Sequence, residues 1–149
     1  MIKLPPHAYN AFTTEARPGP NGSTLRRVVV IVNPASGKRA GLRALEAVTR
    51  RCEQAGVEVR PLRTERAGHA TELAKNENLE GVDAVLSVGG DGTLCEVVNG
   101  LMARPDREQT LKRVALGIIP AGSGNTVAYS MGVYSLDAAL DTVLRGLVR

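Results

Sequence analysis

Apolar and polar positions alternate between two periods along this chain. Residues 26–32 (RRVVVIV) form a continuous β-branched run, which predicts a strand covered on both faces, as in a parallel sheet. Residues 82–88 and 114–119 repeat that pattern and predict two more such strands, the last ending at Pro120. Residues 57–62 alternate instead and predict a shorter strand. Between the strands the period changes to that of a helix. Leu42, Leu45, Val48 and Cys52 mark the apolar face of a helix over residues 41–55, with Gly56 at its C-terminal end. A loop over residues 64–70 leads into a helix running to about Lys75, and His69 reads there as a helix-start residue making a local hydrogen bond. Further helices are predicted near residues 93–102 and from the 121–126 loop to about Met131. The last helix has Ser135 as N-cap and Leu136, Leu140, Val143, Leu144 and Leu147 on its apolar face. Residues 104–112 read as a charged connection. Residues 1–24, rich in Pro and Gly and without apolar period, read as a disordered tail ahead of a domain over residues 25–149.

Strand and helix alternate throughout, which predicts an α/β fold: a Rossmann-like parallel sheet with right-handed crossovers and helices on both faces. In such a sheet the loops after strands one, three and four all lie at the carboxyl edge, where ligands bind. All three carry glycine: Asn33-Pro34-Ala35-Ser36-Gly37-Lys38, Gly89-Gly90-Asp91-Gly92 and Ala121-Gly122-Ser123-Gly124-Asn125-Thr126. The first is not a Walker A loop and the last is not GxGxxG. In the middle one, glycine permits positive φ and lets backbone N–H groups approach a ligand. The helix N-terminus just after it favours phosphate. Ser36 and Gly37 offer N–H donors and Lys38 a cation. A carboxylate repels phosphates, so Asp91 fits such a site as a proton acceptor or through a metal ion.

Composition narrows this picture. The 149 residues suit one domain, and 43% hydrophobic content suits a globular core. Aromatics make up 3% with no Trp, which argues against base-stacking recognition of nucleic acid. The net charge of +4 gathers in arginine clusters that read mainly as solvated helix faces, and it also suits nucleotide phosphates or an anionic membrane surface. Cys52 and Cys95 form no CxxC pair, which suggests a reducing compartment and no structural metal. No apolar run reaches the length of a membrane span, and no signal-peptide pattern opens the chain, so a cytoplasmic protein able to meet a membrane peripherally is expected.

Four segments in order, VVVIVNPASGK, LRTERAGHATELAK, VLSVGGDGTLCEVVNGLM and LGIIPAGSGNTVAYS, make the chain from about Arg26 onward resemble the nucleotide-binding lobe of the diacylglycerol kinase–type lipid kinases, which include the diacylglycerol, sphingosine and ceramide kinases. The resemblance implies ATP and Mg²⁺ as cofactors and a lipid substrate presented at a membrane surface. It implies that Asn33, Pro34, Ser36, Gly37 and Lys38 contact ATP, that Thr64 lies near its phosphates, and that Gly89, Gly90, Gly92 and Thr93 cradle them. Gly122, Ser123, Gly124 and Asn125 would form a second wall. Asp91 would be the general base, with Glu96 and Asn99 supporting the turn from the helix. No metal ligand and no oligomeric state is implied. The LMARPD and PAGSGN segments look like sphingosine kinases; Cys95 and Thr126 depart from many bacterial members, and GGDGT departs from the SGDG of animal sphingosine kinases. A sphingoid base is the favoured substrate, with diacylglycerol or ceramide as alternatives. An NAD kinase-like enzyme and a nucleotide-binding fragment without catalysis are the others. In this family the chain continues into a β-rich lobe that forms most of the lipid pocket, so a sequence ending at Arg149 is expected to be the first lobe alone.

Overall fold

The computed structural model describes residues 25–144. Four parallel strands form one sheet in the order β2-β1-β3-β4: β1 (Arg27–Val32), β2 (Glu58–Arg63), β3 (Ala84–Gly89) and β4 (Ala115–Pro120). β1 pairs with β2 from Arg27↔Glu58 to Val32↔Arg63, and with β3 from Val28↔Ala84 to Val32↔Val88. β3 pairs with β4 from Ala84↔Ala115 to Gly89↔Pro120. The two central strands are the continuous apolar runs, because both of their faces are covered; the alternating β2 lies at an edge, where Pro61 is tolerated.

Among the described residues, six helices connect and cover the strands: α1 (Ala40–Gln54), α2 (His69–Asn76), α3 (Asp91–Met102), α4 (Arg107–Arg113), α5 (Thr126–Ser130) and α6 (Leu136–Leu144). Val28, Val30, Val32 and Leu86 pack against Leu45, Val48 and Cys52 of α1 and Leu140 and Val143 of α6. Val29, Ile31 and Val85 turn the other way, onto Ala70 and Ala74 of α2 and Leu94, Val97 and Leu101 of α3. The fold thus has the three layers that the sequence pattern predicts. From β1 the chain moves outward one way to β2, and from β3 the other way to β4. The neighbouring loops after β1 and β3 therefore diverge, which opens a crevice at the carboxyl edge.

Three local readings change. The charged connection contains helix α4, and Arg104 ahead of it is buried. Its guanidinium reaches the carbonyls of Ala74 (2.9 Å), Lys75 (3.1 Å) and Glu77 (2.9 Å) at the end of α2, and pairs with Asp106 at 2.8 Å. Helix α3 begins at Asp91, two residues before the predicted start, because Leu94 N–H already reaches Gly90 O at 3.2 Å. Leu147 and the predicted tail over residues 1–24 lie outside the described residues. The remaining helix readings hold: Gly56 has φ +73 after α1, and Ser135 Oγ accepts the N–H of Ala138 at 3.1 Å as the N-cap of α6.

Candidate active site

The turn after β3 is built by close packing. Gly89, Gly90 and Gly92 are absent from the positive-φ residues, and Gly90 is extended at φ −93. Glycine is required here for approach rather than for a left-handed backbone. A Cβ on Gly122 would overlap the Cα of Gly90, and one on Gly89 would lie 2.6 Å from Thr93 Oγ1 and 3.2 Å from Ser36 Oγ. The three glycine loops therefore lean on one another, and Gly37 touches the same junction at Ala121 O. Positive φ occurs instead in the first loop, at Gly37 (+52), Lys38 (+55) and Arg39 (+69), a left-handed run that carries two cations into the start of α1.

Asp91 joins two loops. Its Oδ2 accepts the N–H of Thr126 at 3.1 Å and its Oδ1 that of Val127 at 3.2 Å, while its own N–H donates to Gly124 O at 3.2 Å. The carboxylate thus holds the first turn of α5. The Val127 N–H first, and then Thr126, keeps its pKa below the usual carboxylate value. This gives a carboxylate in a phosphate-type turn a structural role that the sequence did not reveal. The Thr126 hydroxyl adds a third bond to the carboxylate, which still leaves a lone pair to spare.

Next to this junction lies a cleft of about 470 Å³. Its walls are Asn33, Pro34 and Ala35 after β1, Thr64 to Ala67 after β2, and Gly92, Thr93 and Glu96 in the first turns of α3, with Ala70 of α2 also lining it. Gly90 supplies no side-chain cap to α3. The Asp91 N–H goes to Gly124, which leaves the N–H groups of Gly92 and Thr93 for whatever fills the cleft. A Cβ on Gly92 would meet nothing within 4 Å, so this face of the helix start is open.

Of the residues singled out from the sequence, Asn33, Pro34, Thr64, Gly92, Thr93 and Glu96 line the cleft together. Ser36, Gly37, Gly89 and Gly90 belong to the loop junction beside it, and Lys38 is exposed in the left-handed run that follows. Gly122, Ser123, Gly124 and Asn125 are not among the cleft residues; their loop packs on Gly90 and Asp91 instead. Asn125 Oδ1 accepts the Gly122 N–H at 3.1 Å and its Nδ2 donates to Gly122 O at 2.9 Å, so this side chain folds the loop onto itself. Asn33 does the same for its own loop, accepting the Ala35 N–H at 3.0 Å, and the Ser36 N–H is taken by Asn33 O at 3.2 Å rather than left free. The support of the glycine turn expected from Glu96 and Asn99 goes elsewhere. Glu96 Oε1 accepts the N–H of Gly68 at 2.9 Å in the β2–α2 loop, because one turn into α3 the side chain has already passed the glycine turn; Asn99 is exposed and contacts Cys95 one turn back. Sequence reasoning missed Glu65, Arg66 and Ala67 as cleft residues. Their signal was available, since a loop that leaves a parallel strand at its carboxyl end belongs to the ligand edge.

The residues present fit a nucleotide. The volume falls in the range of small-ligand sites, a helix N-terminus with open N–H groups faces the space, and Arg66 stands in the wall as a cation. Among the described residues no group of three or more His, Cys, Asp or Glu could hold a metal ion by itself.

Comparison with known proteins agrees with this geometry. Residues 27–149 match the family described as "Diacylglycerol kinase catalytic domain". The chain is 39% identical over 127 residues to the diacylglycerol kinase of Bacillus subtilis, covering 84% of this chain and 40% of that one. It is 41% identical over 120 residues to sphingosine kinase 1 of Homo sapiens, covering 78% of this chain and 31% of that one. The structure of a putative diacylglycerol kinase from Bacillus anthracis superposes with a TM-score of 0.66 at 29% identity, over 80% of this chain and 41% of that one. The chain thus spans well under half the length of these relatives. With a match over nearly all of its described residues, this chain belongs to the diacylglycerol kinase catalytic-domain family.

Proposed function

We propose that this chain is the nucleotide-binding lobe of an ATP-dependent lipid kinase that transfers the γ-phosphate to the hydroxyl of a sphingoid base. The observation that carries the nucleotide reading is the open start of α3, with the N–H groups of Gly92 and Thr93 facing a cleft at the point where the β1 and β3 loops diverge. Those N–H groups and Arg66 hold phosphate, while Asn33, Pro34 and Thr64 bound its space. When bound, Mg·ATP supplies an activated phosphoryl group with much of its charge already neutralised. Asp91, ionised at neutral pH, accepts the proton of the lipid hydroxyl on a lone pair that Thr126 and Val127 leave free. Gly124 acts through Asp91, whose N–H its carbonyl accepts, and Asn125 folds the loop that brings Thr126 and Val127 to the carboxylate. The lipid arrives from a membrane surface; no helix among the described residues is long and apolar enough to cross one.

The resemblance of the LMARPD and PAGSGN segments to sphingosine kinases, and the 41% identity to a human sphingosine kinase, favour the sphingoid substrate. The bacterial relatives support diacylglycerol as the second reading. Two measurements test the proposal. Mg·ATP titrated calorimetrically into the chain binds with a millimolar or tighter dissociation constant; silence at millimolar nucleotide removes the nucleotide reading. In a chain extended by a lipid-binding lobe, labelled phosphate from ATP, offered sphingosine, diacylglycerol and ceramide side by side in mixed micelles, goes first to sphingosine. A preference for diacylglycerol reverses the order of the two substrates.

A further inference from the structure

We propose that His69 and Glu96 are positioning residues: their side-chain acceptors hold the β2–α2 loop in place as one wall of the cleft. The inference rests on the nucleotide reading of that cleft. The loop leaves an edge strand, and its last link to the sheet is the Thr64 N–H on Val32 O at 2.9 Å. Beyond it, Glu65, Arg66, Ala67 and Gly68 are exposed and have no strand beside them. A loop of this kind is ordinarily mobile. Here two side chains take up its N–H groups. His69 Nδ1 accepts from Glu65 at 2.9 Å, and Glu96 Oε1 accepts from Gly68 at 2.9 Å. Gly68 turns the chain into α2 with φ +80, so the second bond grips the loop at its bend.

The origin of the two acceptors is what makes them functional. Glu96 comes from α3, three and four residues after Thr93 and Gly92, and so lies on the same helix face as they do. Its backbone carbonyl also accepts the Thr71 hydroxyl at 3.1 Å, which locks α2 to α3 at the same level. The loop wall and the open helix start therefore share one frame, and Thr64 and Arg66 are set against Gly92 and Thr93 before any ligand arrives. This also accounts for a carboxylate lining an anion-binding cleft, since a backbone N–H already occupies Glu96 Oε1. His69 can accept at Nδ1 only as the neutral ring with its proton on Nε2. Arg66 is drawn to the start of α2 by Glu72 at 2.6 Å, which keeps the cation of the loop beside the cleft.

The test uses the full chain, labelled with ¹⁵N, and follows amide exchange at Glu65 and Gly68 with Leu86 of β3 as the measure of intact fold. His69→Ala speeds exchange at Glu65, and Glu96→Ala does so at Gly68, with Leu86 unchanged. His69→Asn places Oδ1 where Nδ1 stood and restores the slow exchange; Glu96→Gln keeps Oε1 and does the same for Gly68. His69→Ala also weakens Mg·ATP binding roughly 2- to 10-fold, the value of one hydrogen bond, and His69→Asn recovers it. Equal exchange in the alanine variants, failure of His69→Asn to restore it, or unchanged Mg·ATP affinity in His69→Ala overturns the inference. If Leu86 shows that the alanine variants unfold, the asparagine and glutamine variants decide: slow exchange with wild-type affinity in His69→Asn supports the inference, and its absence overturns it. Protected Glu65 and Gly68 in a wild-type chain that binds no Mg·ATP overturn the nucleotide reading, and the purpose assigned to the tethers with it.

Discussion

Asp91 concentrates two demands in one side chain. As an ion it caps α5 through Thr126 and Val127, and as a base it must accept a proton in the reaction proposed above. The capping bonds lower its pKa, which weakens it as a base but keeps it charged and oriented at neutral pH. The stability consequence has a definite sign. A carboxyl whose folded pKa lies below its unfolded value of about 3.9 stabilises the fold above that value, and the contribution is lost as pH falls through the lower folded pKa. Asp91→Asn should therefore lower the melting temperature at pH 7, and the gap from wild type should narrow as pH falls below the unfolded value and through the lower folded one. A gap independent of pH would mean that charge plays no part in the cap. In a chain that turns lipid over, the same variant should lose about 10²–10⁴-fold in rate, the range for a general base, while ATP affinity holds or rises. A selective loss of ATP binding would assign Asp91 to the metal ion instead.

At the scale of elements, Arg104 shows how a polar residue can organise a helix pair. α2 is only 8 residues long, below the length at which helices persist alone. Its final carbonyls would be left without partners, and the buried guanidinium of Arg104 takes three of them while Asp106 balances its charge. The bonds from Arg104 in turn hold the pKa of Asp106 below its usual value. Arg104→Ala should cost about 2–3 kcal/mol in urea denaturation, the range for losing charge-assisted bonds whose buried acceptors stay unpaired. Arg104→Lys should recover only part of this, because a single ammonium cannot span the same carbonyls and the Asp106 carboxylate in a planar fork. A neutral Arg104→Ala would show that the end of α2 is held by packing alone.

Across the whole molecule, the sheet is closed by elements far apart in sequence. α6 covers the same sheet face as α1, and Arg51 of α1 pairs with Asp141 of α6 at 2.6 Å. That ion pair is half-exposed and contributes little; the burial of Leu140 at 1% exposure and of Val143 carries the contact. Leu140→Ala should cost roughly 2–5 kcal/mol, the range for truncating a buried leucine, and should lower the melting temperature without altering the transition's two-state shape. A loss under 1 kcal/mol would place α6 outside the cooperative unit. The same closure fixes the site. The loops after β1, β2 and β3 meet because the parallel register brings Val32, Arg63 and Val88 level at one edge.

By itself the sequence determined the alternation of strand and helix, and with it a parallel sheet and its ligand edge, because buried strands and amphipathic helices write different periods into the chain. It also determined which loops could matter, since glycine and Asn-Pro clusters interrupt those periods at strand ends. Only the tertiary structure decided what each loop residue does. Gly90 and Gly122 need each other's missing Cβ, Asp91 spends its charge on a helix 35 residues away, and Glu96 turns from the glycine run beside it to a loop 28 residues back. Arg104 read as part of a charged connection because nothing in its own segment shows that α2 ends above it. Periodicity reports the side of an element that faces the core, whereas a hydrogen bond between loops depends on where the sheet brings their ends, which no local pattern encodes.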